Sequence, residues 1–384
     1  MSSSRADLFE ARDAHQAALF AAGDWASGID LTQAGPHGLD WLRFRVAHQF
    51  FFPQQAHGAC EQQYRDNVRH RQMQKHEFSA IRSLEDAGLL NLVAGRPPVG
   101  PAIYCAFHLG AWAIQPVLLI RRGIPMTIVA GPGMAKEHGG TMVQMTRLAQ
   151  QHGWCSADLN VVSSDAKGAA VQMIRGLRDG RSLYICVDGQ RGYGGQLGAD
   201  VEDRHVVALD FAGRRIHVRM GAAFLAHKLG LPLVPMVSWR EADGRVSVEL
   251  GEAIEPAGAR DPFANQALQS LWRFFERRAQ RHASQWEMGW YNYRTRVPAG
   301  APALDALHSH IRFNEARFHL YEPSRGLVLD ERSDEIKQVP PVYAQLMAKL
   351  RQMRDGVPGP WLRAQFKDPA TLDQLLAAEL LVAQ

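Results

Sequence analysis

Ala102–Ile120, AIYCAFHLGAWAIQPVLLI, is the longest apolar run in the chain. It approaches the ~20 residues that a membrane helix needs. Yet His108 and Gln115 lie inside it, and Gly110 and Pro116 break it. It therefore divides into a buried strand, Ala102–Phe107, and a helix over Ala113–Arg122, and no membrane span is read. Outward from this unit the same alternation repeats. Strands are expected at Pro125–Ala130, Leu159–Val162, Ser182–Val187, Leu233–Trp239 and Arg245–Leu250, and helices near Thr141–His152, Ala166–Asp179, Met220–Leu229 and Ala267–His282. Continuous apolar strands separated by helices predict an α/β fold, a mainly parallel open sheet covered on both faces.

Three regions follow. Residues 1–98 read as a helical cap, with amphipathic stretches at Asp40–Phe52 and Gly58–Val93. Residues 99–298 are the α/β core, and Pro298–Pro302 is linker-like. Residues 308–384 form a small C-terminal α+β unit. In it, Arg317–Tyr321 and Leu327–Leu329 make a hairpin, and helices are expected at Val342–Met353, Trp361–Phe366 and Leu372–Val382.

Composition narrows the function classes. The 384 residues carry 43 Lys+Arg against 39 Asp+Glu and are 46% apolar, which excludes a disordered or fibrous chain. Only seven of the cations are lysine. An arginine-rich balance reflects either a GC-rich genome or a surface that holds phosphate or carboxylate in bidentate fashion. Basic residues nowhere form a dense run interleaved with aromatics, so nucleic acid is not an expected partner. Cys60, Cys105, Cys155 and Cys186 are far apart with no CxxC pair. Reduced thiols, no metal site and a cytoplasmic setting are expected. The Met1 end is polar and unlike a signal peptide.

In an open parallel sheet, ligands bind beyond the carboxyl ends of the strands. Four strands here run into Phe107-His108-Leu109-Gly110, Gly131-Pro-Gly133, Ser163-Ser-Asp165 and Asp188-Gly-Gln190-Arg191. Parallel strands would bring His108 and Asp188 to one rim. A histidine at such a turn is a natural general base, Gly110 would let a substrate approach the backbone, and the helix behind could stabilise developing negative charge. The bland alternatives are a satisfied half-buried histidine and a loop-capping aspartate. The stretch after Asp188 is rich in glycine but matches no dinucleotide fingerprint or phosphate loop.

At these residues the chain resembles the lysophospholipid acyltransferase superfamily, nearest its late lipid A (lauroyl/myristoyl) branch. His108-Leu-Gly110-Ala111-Trp112-Ala113 is similar to that family's His-x-Gly-Asn-Trp-Glu. Arg147 ahead of Gly153, Leu177-Arg-Asp-Gly180, Val187-Asp188-Gly-Gln190, Phe211-Ala-Gly213-Arg214, Gly221–Ala226 and Leu231–Pro235 follow in the family's order. Ala283-Ser-Gln285-Trp286 through Trp290 resembles its closing motif. The resemblance implies a fatty acyl transfer from an acyl carrier protein or coenzyme A thioester, with no bound cofactor. The acceptor would be a hydroxyl or amine on a lipid-like or natural-product molecule. His108 would be the base, and Asp188, Gly110, Trp112, Arg147, Gln190, Arg191 and Arg214 would complete the site.

One departure bears on this directly. The family's acidic residue five positions after the histidine is replaced by Ala113, and its asparagine by Ala111. Three outcomes are open: Asp188 supplies the missing carboxylate, a weaker catalyst serves an easier acceptor, or the fold binds an acyl chain or carrier without turnover. A carboxylate within reach of His108, from Asp188, Glu202 or Asp203, favours catalysis. The aromatic stretch Trp41–Phe52 reads either as a helix on the surface of the inner membrane or as a buried cap. A weaker resemblance links Leu329–Ile336 after the hairpin to PqqD-like peptide-binding modules, which would imply a peptide acceptor.

Overall fold

The computed structural model describes residues 5–31, positions 37, 40, 41, 44, 45, 48 and 51, then 57–189 apart from 152 and 154. It also describes 191–192, 195–196, 206–287, 310–330, and 335–383 apart from 354, 367 and 369. The chain divides into two compact units, Met1–Leu197 with Val201–Thr295, and Gly198–Asp200 with Arg296–Gln384.

Among the described residues the first unit opens with α1 (Arg5–Ser27), helical positions between 37 and 51, and α2 (His57–Asp86). The expected helical character ends there. Leu90–Ala94, placed by sequence in an amphipathic stretch, is a strand, β1, on the edge of the central sheet. Gly88, with φ +70°, ends the helical path two residues earlier and turns the chain. The core then runs β2 (Ile103–Ala106), α3 (Gln115–Arg121), β3 (Met126–Ala130), α4 (Pro132–Gln151), β4 (Leu159–Ser163), α5 (Ala169–Arg178) and β5 (Ser182–Cys186). A hairpin follows, β6 (Val206–Phe211) and β7 (Arg214–Arg219), then α6 (Gly221–Leu229), β8 (Leu233–Arg240), β9 (Val246–Leu250) and α7 (Arg260–Ala279).

Seven strands form one sheet in the order β1-β9-β8-β2-β5-β3-β4. The five from β8 to β4 are mutually parallel; β9 is antiparallel to β8 and carries β1 parallel beside it. This is a mixed α/β architecture with a mainly parallel sheet. Both faces are covered, as the continuous apolar strands require. On one face Ile103, Cys105, Phe107 and Leu183 pack with α6, α7 and the hairpin. On the other, Tyr104, Ala106 and Tyr184 pack with α3 and the end of α2.

The β6–β7 hairpin was not anticipated as such. Val206–Phe211 is apolar apart from Asp210, Arg214–Arg219 alternates polar and apolar from Arg215 on, and Ala212 (φ 49°) and Gly213 (φ 70°) both take left-handed backbone between them. Two successive positive φ angles are the geometry of the two-residue turn whose twist matches paired strands.

The second unit has its own core, built from Ile311, Phe313, Phe318, Leu320, Val328, Met347, Leu350 and Leu362 among others. The expected hairpin is present, as Phe318–Glu322 with Leu327–Asp330, and a third strand, Glu335–Gln338, extends it. The last expected helix is shorter than the sequence suggests. It ends at Ala377, and Leu381–Ala383 is a strand paired with His310–Phe313. Residues 331–334 of the peptide-module resemblance, and the Pro298–Pro302 linker, lie outside the described residues.

Candidate active site

The register of the two central strands sets the site. β2 and β5 are parallel neighbours with Ala106 opposite Cys186. Two residues beyond that pair, where both segments have left the sheet, stand His108 and Asp188, so the parallel register brings both to one rim. Nδ1 of His108 lies 2.7 Å from Asp188 Oδ1, and the His108 backbone N–H donates to Oδ2 at 2.9 Å. A carboxylate only accepts, so Nδ1 carries the proton and Nε2 is left as the basic nitrogen of the neutral ring. Asp188 is fully enclosed, whereas 15% of the His108 side chain remains exposed.

Asp188 is held from a third side. The Trp286 indole N–H donates to Oδ2 at 2.8 Å. Trp286 in turn is fixed by an aromatic cluster. Phe211 and Phe275 approach its ring edge-on at 5.3 and 5.0 Å, Phe51 lies 5.9 Å away, and Phe107 stacks on Phe275 at 4.0 Å. The segment carrying Trp286 is clamped by backbone bonds to the His108 turn: Gly110 N–H to Gln285 O, and Glu287 N–H to His108 O, both at 2.9 Å. The Gln285 side chain exchanges two bonds of 2.8 Å with the backbone of Arg240.

The electrostatics follow from this enclosure. Burial opposes a charged imidazole, but Cys186 close to the ring and Asp188 bonded to it outweigh that and raise the His108 pKa well above its ordinary value. The thiol of Cys186 thus belongs to the site, although the sequence reading passed over it. Tyr184, one strand repeat below, donates its hydroxyl proton to Trp112 O and Gln115 Oε1, both at 3.1 Å. Gln115 continues to Ser238 Oγ, which bonds Leu109 O, so the turn after His108 is tied to β8.

The other expected site residues divide clearly. Trp112 is in the site: its ring stands edge-on to His108 at 4.5 Å, and its indole N–H is held by Glu287 at 2.8 Å. Gly110 has a packing reason of its own. It has φ +58°, and a Cβ there would lie 2.5 Å from Ser238 O and 2.6 Å from Trp239 Cα. Glycine is required so that the turn can pack on β8. Arg147 lies on α4 (Pro132–Gln151). It is exposed, fifteen residues past Pro132, about 22 Å along a helix that runs back from the rim. Arg214 is exposed at the turn of the β6–β7 hairpin, opposite Phe211. Arg191 lies in a two-residue ladder with Gly195–Gln196. Its side chain lies outside the described residues, as do Gln190, Glu202, Asp203 and Trp290.

The helix behind His108 also starts later than expected. A 3-10 turn, Trp112–Ile114, intervenes, and α3 begins at Gln115 with Pro116 in its first turn. Trp41, Phe44 and Phe51 are buried within the protein, so the aromatic stretch behaves as a cap at those positions. Among the described residues no helix is long and apolar enough to cross a membrane, and no three His, Cys, Asp or Glu side chains are grouped to hold a metal ion.

No known protein family and no curated protein matches the chain. Among solved structures it is similar to the 1-acyl-sn-glycerophosphate (LPA) acyltransferase PlsC from Thermotoga maritima. The identity is 13% and the TM-score 0.32, over 63% of this chain and 95% of that one.

Proposed function

We propose that this protein is an acyltransferase that moves a fatty acyl group from an acyl-carrier or coenzyme A thioester to a hydroxyl or amine acceptor. His108 is the base that takes the acceptor proton at Nε2. Asp188 fixes the ring with Nδ1–H turned inward and stabilises the imidazolium that forms. The observation that supports the reading most is the 2.7 Å contact between His108 and Asp188. It supplies, from another strand, the carboxylate that Ala113 lacks, while the order of motifs around His108 points to acyl rather than other proton-transfer chemistry. A non-catalytic acyl-binding protein would leave the ring among apolar atoms, and the paired, part-exposed imidazole speaks against it.

Trp286 and Trp112 are assigned positioning roles, one on the carboxylate and one on the ring. The acyl donor is a soluble thioester in this reading, and four free cysteines among the described residues suit a reducing compartment. Incubating the chain with acyl-coenzyme A and acyl-carrier thioesters, with hydroxyl and amine acceptors, tests it by mass spectrometry. Acylated acceptor from wild type, and none from His108→Ala, is the expected result; equal product from both removes the assignment.

A further inference from the structure

Cys186 is a side chain beside the His108–Asp188 pair that one-step transfer leaves without a task. Along β5 and the residue after it the side chains alternate: Leu183, Ile185 and Val187 pack into one core, whereas Tyr184 and Cys186 pack into the other. Cys186 stands one strand repeat short of Asp188 and directly across from Ala106. The thiol is near enough to the His108 ring to raise its pKa, and its S–H donates to the Tyr184 hydroxyl at 4.0 Å. It is also partly exposed, unlike the enclosed Cys60 and Cys105. Thiol, imidazole and carboxylate are therefore contiguous, in the order that activates a sulfur nucleophile.

We propose that Cys186 is the nucleophile of a two-step acyl transfer and carries the acyl group between donor and acceptor. The proposal rests on the acyltransferase reading above. In the first step Sγ loses its proton to Nε2 of His108 and attacks the thioester carbonyl. The bond from that carbon to the donor sulfur breaks, and the donor leaves as a thiol with the proton from His108. One thioester replaces another, so no further energy source is needed. In the second step the acceptor O–H or N–H gives its proton to Nε2, its oxygen or nitrogen bonds to the acyl carbon, and the C–Sγ bond breaks. Sγ recovers the proton from His108, and the enzyme returns to its starting state.

The contrast with the other cysteines supplies an internal control. Burial raises the Cys60 thiol to about 12 and pushes Cys105 and Cys155 upward as well. Cys155 is partly exposed like Cys186 but has no histidine partner in its hydrogen bonds, which run to Thr146 O and Ala157 O. Iodoacetamide applied to the full chain at neutral pH should alkylate Cys186 at least tenfold faster than Cys155, and His108→Ala should remove that advantage. Equal rates at the two thiols, or an unchanged rate in His108→Ala, overturn the proposal.

Acyl-coenzyme A without acceptor should leave a hydroxylamine-labile adduct on Cys186, detected by intact mass and peptide mapping. Transfer should fall at least 100-fold in both Cys186→Ala and Cys186→Ser, two variants of similar bulk whose melting curves report on folding. If Cys186→Ala transfers at the wild-type rate while His108→Ala is inactive, the nucleophile is overturned and one-step transfer stands. If neither adduct nor acylated acceptor forms with any thioester, both readings fall.

Discussion

At the scale of single residues, the account turns on what Asp188 does for His108. A buried carboxylate that accepts from Nδ1, from the His108 backbone and from the Trp286 indole has little freedom to move. Asp188→Asn keeps the shape but can present an amide N–H to the ring and favour the wrong tautomer, so kcat should fall on the order of 10³–10⁴ with little change in melting temperature. Steady-state kinetics beside a melting curve check it. The pH dependence has a definite sign. The folded pKa of His108 is raised, so pairing stabilises the protein fully below the ordinary imidazole value, and this contribution is lost as pH rises through the folded value. The base that accepts the acceptor's proton is the neutral form. The acceptor half-reaction should therefore rise with pH through an inflection above 6.5, and the inflection should move down in Asp188→Asn. A profile with its inflection at or below the ordinary value would contradict the assignment.

At the scale of elements, the turn after β2 is where backbone packing and chemistry meet. Gly110 lies against the Ser238–Trp239 backbone, so Gly110→Ala combines a forbidden φ with a clash against atoms that cannot swing aside. A loss of about 2–5 kcal/mol is expected in denaturant unfolding. The carboxyl end of β8 is anchored differently. Arg240 and Glu77 form a buried two-bond ion pair at 2.5 and 2.6 Å between the sheet and α2. Glu77→Gln leaves the guanidinium without its counter-charge and should cost about 3–5 kcal/mol, read from the shift in denaturant midpoint.

These elements also separate what sequence patterns can carry from what they cannot. The strand from Ala102 and the strand from Ser182 were legible because they are short, continuous and apolar, and their shared rim followed from parallel pairing. Cys186 was not, since a cysteine ending an apolar strand looks like core until its neighbour across the sheet is known. Trp286 stood in a recognised motif, but its bond to Asp188 spans 98 residues of sequence. Gly110 carries a packing role against the Ser238–Trp239 backbone that its motif does not announce, and the distance of Arg147 along α4 depends on a helix length that the motif does not carry. β1 was hidden by the amphipathic pattern that leads into it.

At the scale of the whole molecule, each compact unit closes its own core: two clusters pack the faces of the sheet, and a third fills the second unit. Within the second unit, Asp330 is fully enclosed and bonded to Arg317 and Lys337. A chain ended after Thr295 should therefore keep a cooperative melt and the central sheet, checked by circular dichroism and calorimetry. Broad, non-cooperative unfolding would show that the first unit depends on the second.

The most direct measurement follows one acyl group in one reaction vessel. With a labelled acyl thioester and acceptor, the account predicts release of donor thiol in step with acylated acceptor from wild type, and neither from His108→Ala of unchanged melting temperature. Product formation at the wild-type rate by folded His108→Ala would contradict it.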